Sequence, residues 1–291
     1  MKSKVKCQAL LSGVQEFVEK GNGHDIVNSM GKDEICRRFL RFLEIIRRLR
    51  APDGCPWDRE QTHESLKSYV IEEAYELVEA IDSGNDEEIK EELGDVLLQI
   101  ALHSQIASER GAFDFGDVLE VISEKMIYRH PHVFGDTSVA SAREVEANWS
   151  RLKREEKKTE SVLEGIPKAL PGLLAAHRTS ERASKVGFDW PDISSIFDKV
   201  DEELDEAKEA YRHGDTRQVQ EELGDLLFVI VNLIRRLGGN AEEVMRQTTE
   251  KFTRRFKEME KALSAEGRSF GNLGIEEMDE VWEKIKRKEK K

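Results

Sequence analysis

Glu91-Glu92-Leu93-Gly94-Asp95-Val96-Leu97-Leu98-Gln99-Ile100-Ala101-Leu102-His103 is the stretch whose reading decides the fold. Placed on a helical wheel, Leu93, Val96, Leu97, Leu98, Ile100, Ala101 and Leu102 cover most of the circumference, which predicts a buried helix. Glu92, Asp95, Gln99 and His103 fall at steps of three and four and so form one narrow polar strip through that apolar surface. A carboxylate strip on a buried helix costs free energy unless a counter-charge meets it.

The same problem is posed a second time. Glu221-Glu222-Leu223-Gly224-Asp225 repeats Glu91 to Asp95 at an offset of 130 residues, followed by Leu226, Leu227, Phe228, Val229, Ile230, Val231 and Asn232. Upstream, Glu72-Glu73-Ala74-Tyr75-Glu76 recurs as Glu202-Glu203-Leu204-Asp205-Glu206 at the same offset of 130. Trp57 maps to Trp190 and Trp149 to Trp282 at 133, and Lys125 and Arg129 map to Lys251 and Arg255 at 126. Such recurrence describes a duplicated domain with small changes in loop length. The expected division is a poorly ordered extension or unrelated appendage over 1–33, a first copy over 34–159 and a second over 160–291.

Spacings of three and four dominate the whole chain, and the six prolines (52, 56, 131, 167, 171 and 191) fall between periodic stretches. The predicted class is therefore all-α. The longest apolar run, Leu226 to Val231, is far too short for a membrane span, which needs roughly 18–20 residues. The first 30 residues lack the continuous apolar core of a secretory signal. Cys7, Cys36 and Cys55 are an odd number at irregular spacing, read as reduced thiols in a cytoplasmic protein. With 46 basic against 59 acidic side chains the net charge is −13, which argues against stable nucleic-acid binding.

On the upstream helix, Val70, Ala74, Leu77, Val78 and Ile81 are expected to form the buried stripe, with Glu73 and Glu76 at its edge and Ala80 leaving room beside them. Val200, Leu204, Ala207 and Tyr211 make the matching stripe, beside Glu203, Glu206 and Ala210. If each helix faces its successor, four carboxylates meet: Glu73, Glu76, Glu92 and Asp95 in one copy, Glu203, Glu206, Glu222 and Asp225 in the other. Like charges about 5 Å apart repel by roughly 3 kcal/mol per pair at an effective dielectric of about 20. Protons or cations must neutralise such a cluster, and an all-oxygen donor set suits Mg²⁺, with Mn²⁺ as a substitute. A lone Glu-Glu-x-x-Glu in so acidic a chain would be read as a solvated helix face. Its recurrence, each time followed by Glu-x-x-Asp on an apolar helix, is what favours a metal site. Gly94 and Gly224 are expected to admit a neighbouring backbone or ligand.

Lys125 and Arg129, like Lys251 and Arg255, are one turn apart and present two cations along one face. Trp149 with Lys153, and Trp282 with Lys286, share that spacing, offering a flat ring for a base and a charge for a phosphate. Together these parts describe a receptacle for a metal-bound nucleotide. His130-Pro131-His132 is read as a structural cap and Cys55-Pro56-Trp57-Asp58 as a helix start.

Glu-Glu-x-x-Glu with Glu-x-x-Asp, Cys55-Pro56-Trp57-Asp58 and His130-Pro131-His132-Val133-Phe134-Gly135-Asp136 resemble the MazG nucleoside triphosphate pyrophosphohydrolases, over nearly everything from about residue 34 onward. The resemblance implies an all-α NTP pyrophosphatase fold, a homodimer with helices packed across subunits, and Mg²⁺-dependent cleavage of nucleoside triphosphates to monophosphate and pyrophosphate. It also implies that Glu203, Glu206, Glu222 and Asp225 hold metal and that Lys251, Arg255, Trp282 and Lys286 hold nucleotide. The matching first-copy residues are Glu73, Glu76, Glu92 and Asp95, with Lys125, Arg129, Trp149 and Lys153. In some two-domain members only the C-terminal copy is active. One departure is that some members carry a lysine four residues before the second acidic motif, where this chain has Glu88 and Gln218. The expected chemistry is in-line attack of water on phosphorus, with Glu202 or Glu72 accepting the proton or orienting the water. Clearing non-standard or excess nucleotides is the implied role. The rival readings are a nucleotide-binding regulator with one or both copies silent, and a di-iron bundle. The latter fails because Glu60-x-x-His63 has no second-copy equivalent.

Overall fold

The computed structural model describes residues 31–157 and 160–289, all helix and connecting turns with no strand among them. Most of the expected 1–33 extension, with Cys7, lies outside the described residues. Contacts divide the chain into two compact units, the first ending at residue 157.

In the first unit, α1 (Lys32–Leu49) is followed by the short α2 (Pro56–Glu60), which starts at Cys55 with proline in its first turn. Next comes an antiparallel pair, α3 (Lys67–Ser83) and α4 (Asp86–Glu109). The unit closes with α5 (Phe115–Arg129), α6 (Pro131–Phe134) and α7 (Ala142–Lys157). The second unit repeats the plan as α8 (Gly172–Ser184), the pair α9 (Ile193–His213) and α10 (Thr216–Arg236), α11 (Ala241–Ala265) and α12 (Ile275–Glu289).

Both helical pairs turn on two residues. Gly84 and Gly214 end α3 and α9 at φ 69° and 75°, the left-handed conformation that glycine adopts without steric cost. Asn85 and Asp215 then cap the next helix, accepting from the backbone N–H groups of Glu87 and Gln218. The tight turn forces the two helices to lie against each other.

The faces that meet are not the ones the apolar stripes suggested. Along α3 the inward line is Leu66, Tyr69, Glu73, Leu77 and Ala80, with Leu66 and Ala80 buried. Along α9 it is Ile196, Lys199, Glu203, Ala207 and Ala210, the same positions 130 residues on. Val70, Val78, Ile81, Leu204 and Tyr211 face outward and are exposed. The expected burial of α4 and α10 on all sides is corrected likewise. Gln99, Ala101, Leu102 and Ile106 are buried, whereas Leu93, Ile100, Leu223, Leu227 and Phe228 are exposed. Each pair is thus apolar on two flanks, and one chain covers only the inner one.

Ile46, Leu66, Ala101, Leu102 and Ile106 form the first unit's core, with Phe42, Tyr69, Leu98 and Phe115 packed around it. In the second unit Met259, Leu263, Val281 and Ile285 join α11 to α12, with Trp282 against them. The copies diverge most at α5 and α11, of 15 and 25 residues. Pro131 follows α5, and the matched position holds Lys257, so α11 continues where α5 must stop. His130 caps that break through its Nδ1 at 2.7 Å from the Met126 carbonyl oxygen, the structural role expected of it.

Candidate active site

Rotating Glu73 and Glu203 to the middle of the inner face places them against the acidic strip of the following helix. One oxygen from each of Glu73, Glu92 and Asp95 lies within 4.8 Å of the other two, and the same holds for Glu203, Glu222 and Asp225. Three carboxylates of each copy stand closest together, and the fourth expected member, Glu76 or Glu206, acts on them electrostatically. Glu76 and Glu206 sit exposed one turn along, outside the 4.8 Å groups.

The electrostatics record the crowding. Burial first, then repulsion from Asp95 and Glu76, pushes the Glu73 carboxyl above the usual carboxylate range, against a hydrogen bond from Gln99. Glu92 is raised by burial, then by Glu76 and Asp95; Glu206 by burial, then by Glu222 and Glu203. Glu92 Oε2 is fully buried and has no hydrogen-bond partner among the described residues. An unpartnered carboxylate oxygen among like charges is the expected state of a hard-cation ligand, so the first cluster fits a divalent ion such as Mg²⁺.

Two residues complete the clusters: Gln99, already on the polar strip of the sequence, and Lys199, which the sequence reading did not single out. Gln99 Nε2 donates to Glu73 at 3.2 Å from a position only 6% exposed; the matched residue is buried Val229. Lys199 Nζ lies 2.8 Å from Glu202 and 2.7 Å from Glu203, and both carboxylates raise its pKa. Tyr69 occupies that place in the first copy. The spacing of Lys199 to Glu203, one helical turn, was the available signal. Gln218, at the departure noted in the sequence, reaches Glu222 at 3.4 Å, while Lys90 and Arg217 pair with Glu87 and Glu221.

Of the expected proton acceptors, Glu72 is exposed beside its cluster and Glu202 is engaged by Lys199. Asn232 does not join the acids: it donates to the Phe228 carbonyl and accepts from Arg235. Gly94 and Gly224 have nothing within 4 Å of a would-be Cβ, so the expected close approach is not made by this chain.

The basic and aromatic residues assemble on α5 with α7 and on α11 with α12. Arg129, 5% exposed, and Lys153 lie over the Trp149 ring at 5.0 and 4.8 Å, so the ring expected to take a base holds two cations here. Arg129 also pairs with Glu156 at 2.7 Å. In the second copy Trp282 tilts against Phe252 at 5.1 Å, Lys286 pairs with Glu283, and Arg255 pairs with Glu289 at 2.7 Å. Lys125 is half-buried one turn from Arg129, and Lys251 is exposed.

Comparison with known proteins bears on the same segments. The family model for the MazG nucleotide pyrophosphohydrolase domain matches twice, at residues 61–134 and 192–259, which span both helical pairs. A nucleoside triphosphate pyrophosphohydrolase/pyrophosphatase MazG from Thermotoga maritima is 50% identical over 250 residues, 85% of this chain and 95% of that one. A nucleoside triphosphate pyrophosphohydrolase from Escherichia coli K12 is 44% identical over 255 residues, 86% of this chain and 97% of its own. The uncharacterized Bacillus subtilis protein YabN is 46% identical over 260 residues but only 52% of its length is covered.

Proposed function

The chain belongs to the MazG nucleotide pyrophosphohydrolase family, and from that premise we infer that it hydrolyses nucleoside triphosphates to the monophosphate and pyrophosphate. The observation that carries the reading is the pair of three-carboxylate clusters on matched helices. Glu203, Glu222 and Asp225, and Glu73, Glu92 and Asp95, would hold the metal, with Glu206 and Glu76 as the remaining members of each set. When bound, Mg²⁺ supplies Lewis acidity and charge neutralisation toward the triphosphate oxygens. Lys251 and Arg255, like Lys125 and Arg129, neutralise the polyphosphate and the leaving pyrophosphate. Trp282 and Trp149 border the nucleotide with Lys286 and Lys153. Glu202, held in place by Lys199, orients the attacking water, and Glu72 stands in the matching position.

Lys199 gives the second cluster a cation that the first lacks, and this favours the second copy as the main site of turnover. A homodimer follows from the uncovered flanks: Val78, Ile81, Leu93, Leu223 and Leu227 together need apolar cover that a second copy of the chain supplies. The biological reading is removal of non-standard or excess nucleotides in the cytoplasm, without stable nucleic-acid binding. No helix among the described residues is long and apolar enough to cross a membrane.

The deciding experiment incubates the full chain with each nucleoside triphosphate and Mg²⁺ and resolves the products. Monophosphate with an equal amount of pyrophosphate is expected. Release of orthophosphate would remove the mechanism, and tight binding without product would replace it with a nucleotide-sensing role.

A further inference from the structure

One contact is made twice although the chain between its partners differs in length. In the first copy Glu156 Oε2 accepts from Arg129 Nε at 3.0 Å and from Nη2 at 2.7 Å. In the second, Glu289 Oε2 accepts from Arg255 Nε at 2.7 Å, with Nη2 also at 2.7 Å. The partners are 27 residues apart in one copy and 34 in the other. The seven extra residues amount to about two helical turns, and they go into α11, which runs on past Arg255 to Ala265 whereas α5 ends at Arg129. A pair that merely happened to lie within reach would be lost on such an insertion. Here the same carboxylate oxygen returns to the same edge of the same arginine.

That edge matters. A guanidinium gripped through Nε and Nη2 by one oxygen has its plane fixed while Nη1 stays uncommitted, and Nη1 of neither arginine makes a hydrogen bond among the described residues. Arginine recognises phosphate through paired N–H groups in a fixed plane, so fixing the plane beforehand removes rotamer entropy from the binding step. We propose that Glu289 and Glu156 are positioning residues for the reaction, each holding the phosphate-binding arginine of its copy, Arg255 or Arg129, in the orientation that meets the substrate's polyphosphate. The proposal rests on the phosphate role assigned above to those arginines. In the second copy Glu289 Oε1 also accepts from Arg254 Nη2 at 3.1 Å, and in the first Arg129 also lies over Trp149, so each plane has a second support.

The test uses the full chain in two backgrounds, Glu73→Gln so that the second copy reports, and Glu203→Gln so that the first does. Glu289→Gln is made in the former and Glu156→Gln in the latter, each beside Arg255→Gln or Arg129→Gln. Glu277→Gln, which breaks the Arg268–Glu277 pair on the same helix as Glu289, serves as the structural comparison. In whichever background turns over, loss of the positioning carboxylate is expected to raise KM about five- to tenfold with kcat within about twofold, while Glu277→Gln moves neither and all variants melt alike. A raised KM in the arginine variant with an unchanged KM in the glutamate variant would overturn the proposal alone. Unchanged KM in both would overturn the phosphate role and the proposal together. A common fall in melting temperature for Glu289→Gln and Glu277→Gln, with equal effects on KM, would reduce the contact to a helix tie and overturn it as well.

Discussion

The two acid clusters occupy matched positions on matched helices, yet they quiet their buried glutamate differently. In the first copy Glu73 receives a neutral amide N–H from Gln99, while burial and then Asp95 and Glu76 raise its pKa. In the second, Glu203, 5% exposed, faces the Lys199 ammonium, and the position of Gln99 is taken by Val229. An amide hydrogen bond softens the desolvation of a carboxylate without cancelling charge, whereas an ion pair cancels it. The first cluster is therefore the more electronegative without metal, and the second the better prepared for a polyanionic substrate.

The largest effect expected from breaking that comparison is on turnover. Glu203→Gln should lower pyrophosphate release by about 10²- to 10³-fold, because it removes the central ligand of the copy that carries Lys199. Glu73→Gln should lower it by less than about threefold. Equal losses from the two substitutions would show that both copies turn over and that Lys199 does not set the difference.

Next in size is Lys199→Met. Without its ammonium Glu203 is a buried carboxylate with like-charged neighbours, and the metal-free protein should lose about 1 kcal/mol, or roughly 3–6 °C in the melting of the second unit. Magnesium should restore more of that loss than it adds to the parent protein, since the cation then meets a less neutralised cluster. Tyr69→Lys, which also removes a ring packed on the first unit's core, should weaken that unit's response to magnesium. Calorimetry with and without chelator reads both, and a Lys199→Met chain melting like the parent would show that the pair contributes nothing.

How far these features were legible follows from the kind of signal each leaves. The duplicated acids and the helical pairs could be read because recurrence at one offset is a property of the sequence itself. The orientation of α3 and α9 could not. A wheel selects the most apolar face, and of that face Leu77 and Ala207 turn inward, while Val70, Val78, Ile81, Leu204 and Tyr211 are left exposed. The inward line carries Glu73 with Tyr69, or Glu203 with Lys199, and looks polar until its neighbours are known. Lys199 was within reach of an i,i+4 reading. Gln99 was seen on the polar strip, although its bond to Glu73 needs the packed pair. The Arg129–Glu156 and Arg255–Glu289 contacts cross 27 and 34 residues and leave no local pattern.

A smaller effect should appear in the pH dependence of the metal-free chain. A carboxyl whose folded pKa is raised keeps a proton that the unfolded chain has already lost, so the native state weakens as pH rises through the folded value. Glu73 and Glu92 in the first unit and Glu206 in the second are raised. Melting temperature in chelator should thus fall by on the order of 2 °C as pH climbs from the ordinary carboxylate range toward neutrality, and magnesium should flatten the slope. Glu73→Gln should remove part of the slope from the first unit alone; an unaltered profile would mean that Glu73 is not the crowded group.

The smallest effect separates the copies at the far end of the polar strip. His103 lies where the second copy has Leu233, stacked on His63 with ring centroids 5.0 Å apart and the two Nδ1 atoms at 2.7 Å. Arg110, which can only donate, faces His63 Nε2 at 3.0 Å, so His63 carries its proton on Nδ1 and gives it to His103 Nδ1. Burial first, then the neighbouring His63, lowers the His103 pKa. The sign is opposite to that of the raised carboxyls: below the ordinary histidine range the unfolded chain takes up a proton that the native ring refuses, and stability is lost as pH falls. One such proton limits the slope to about 1.4 kcal/mol per pH unit. His103→Leu, which copies the second unit's residue, should flatten the first unit's melting curve between about pH 6.5 and 5.5 and leave the second unit's unchanged. If the parent and the variant lose stability in parallel over that interval, the histidine pair does not make the first unit acid-sensitive.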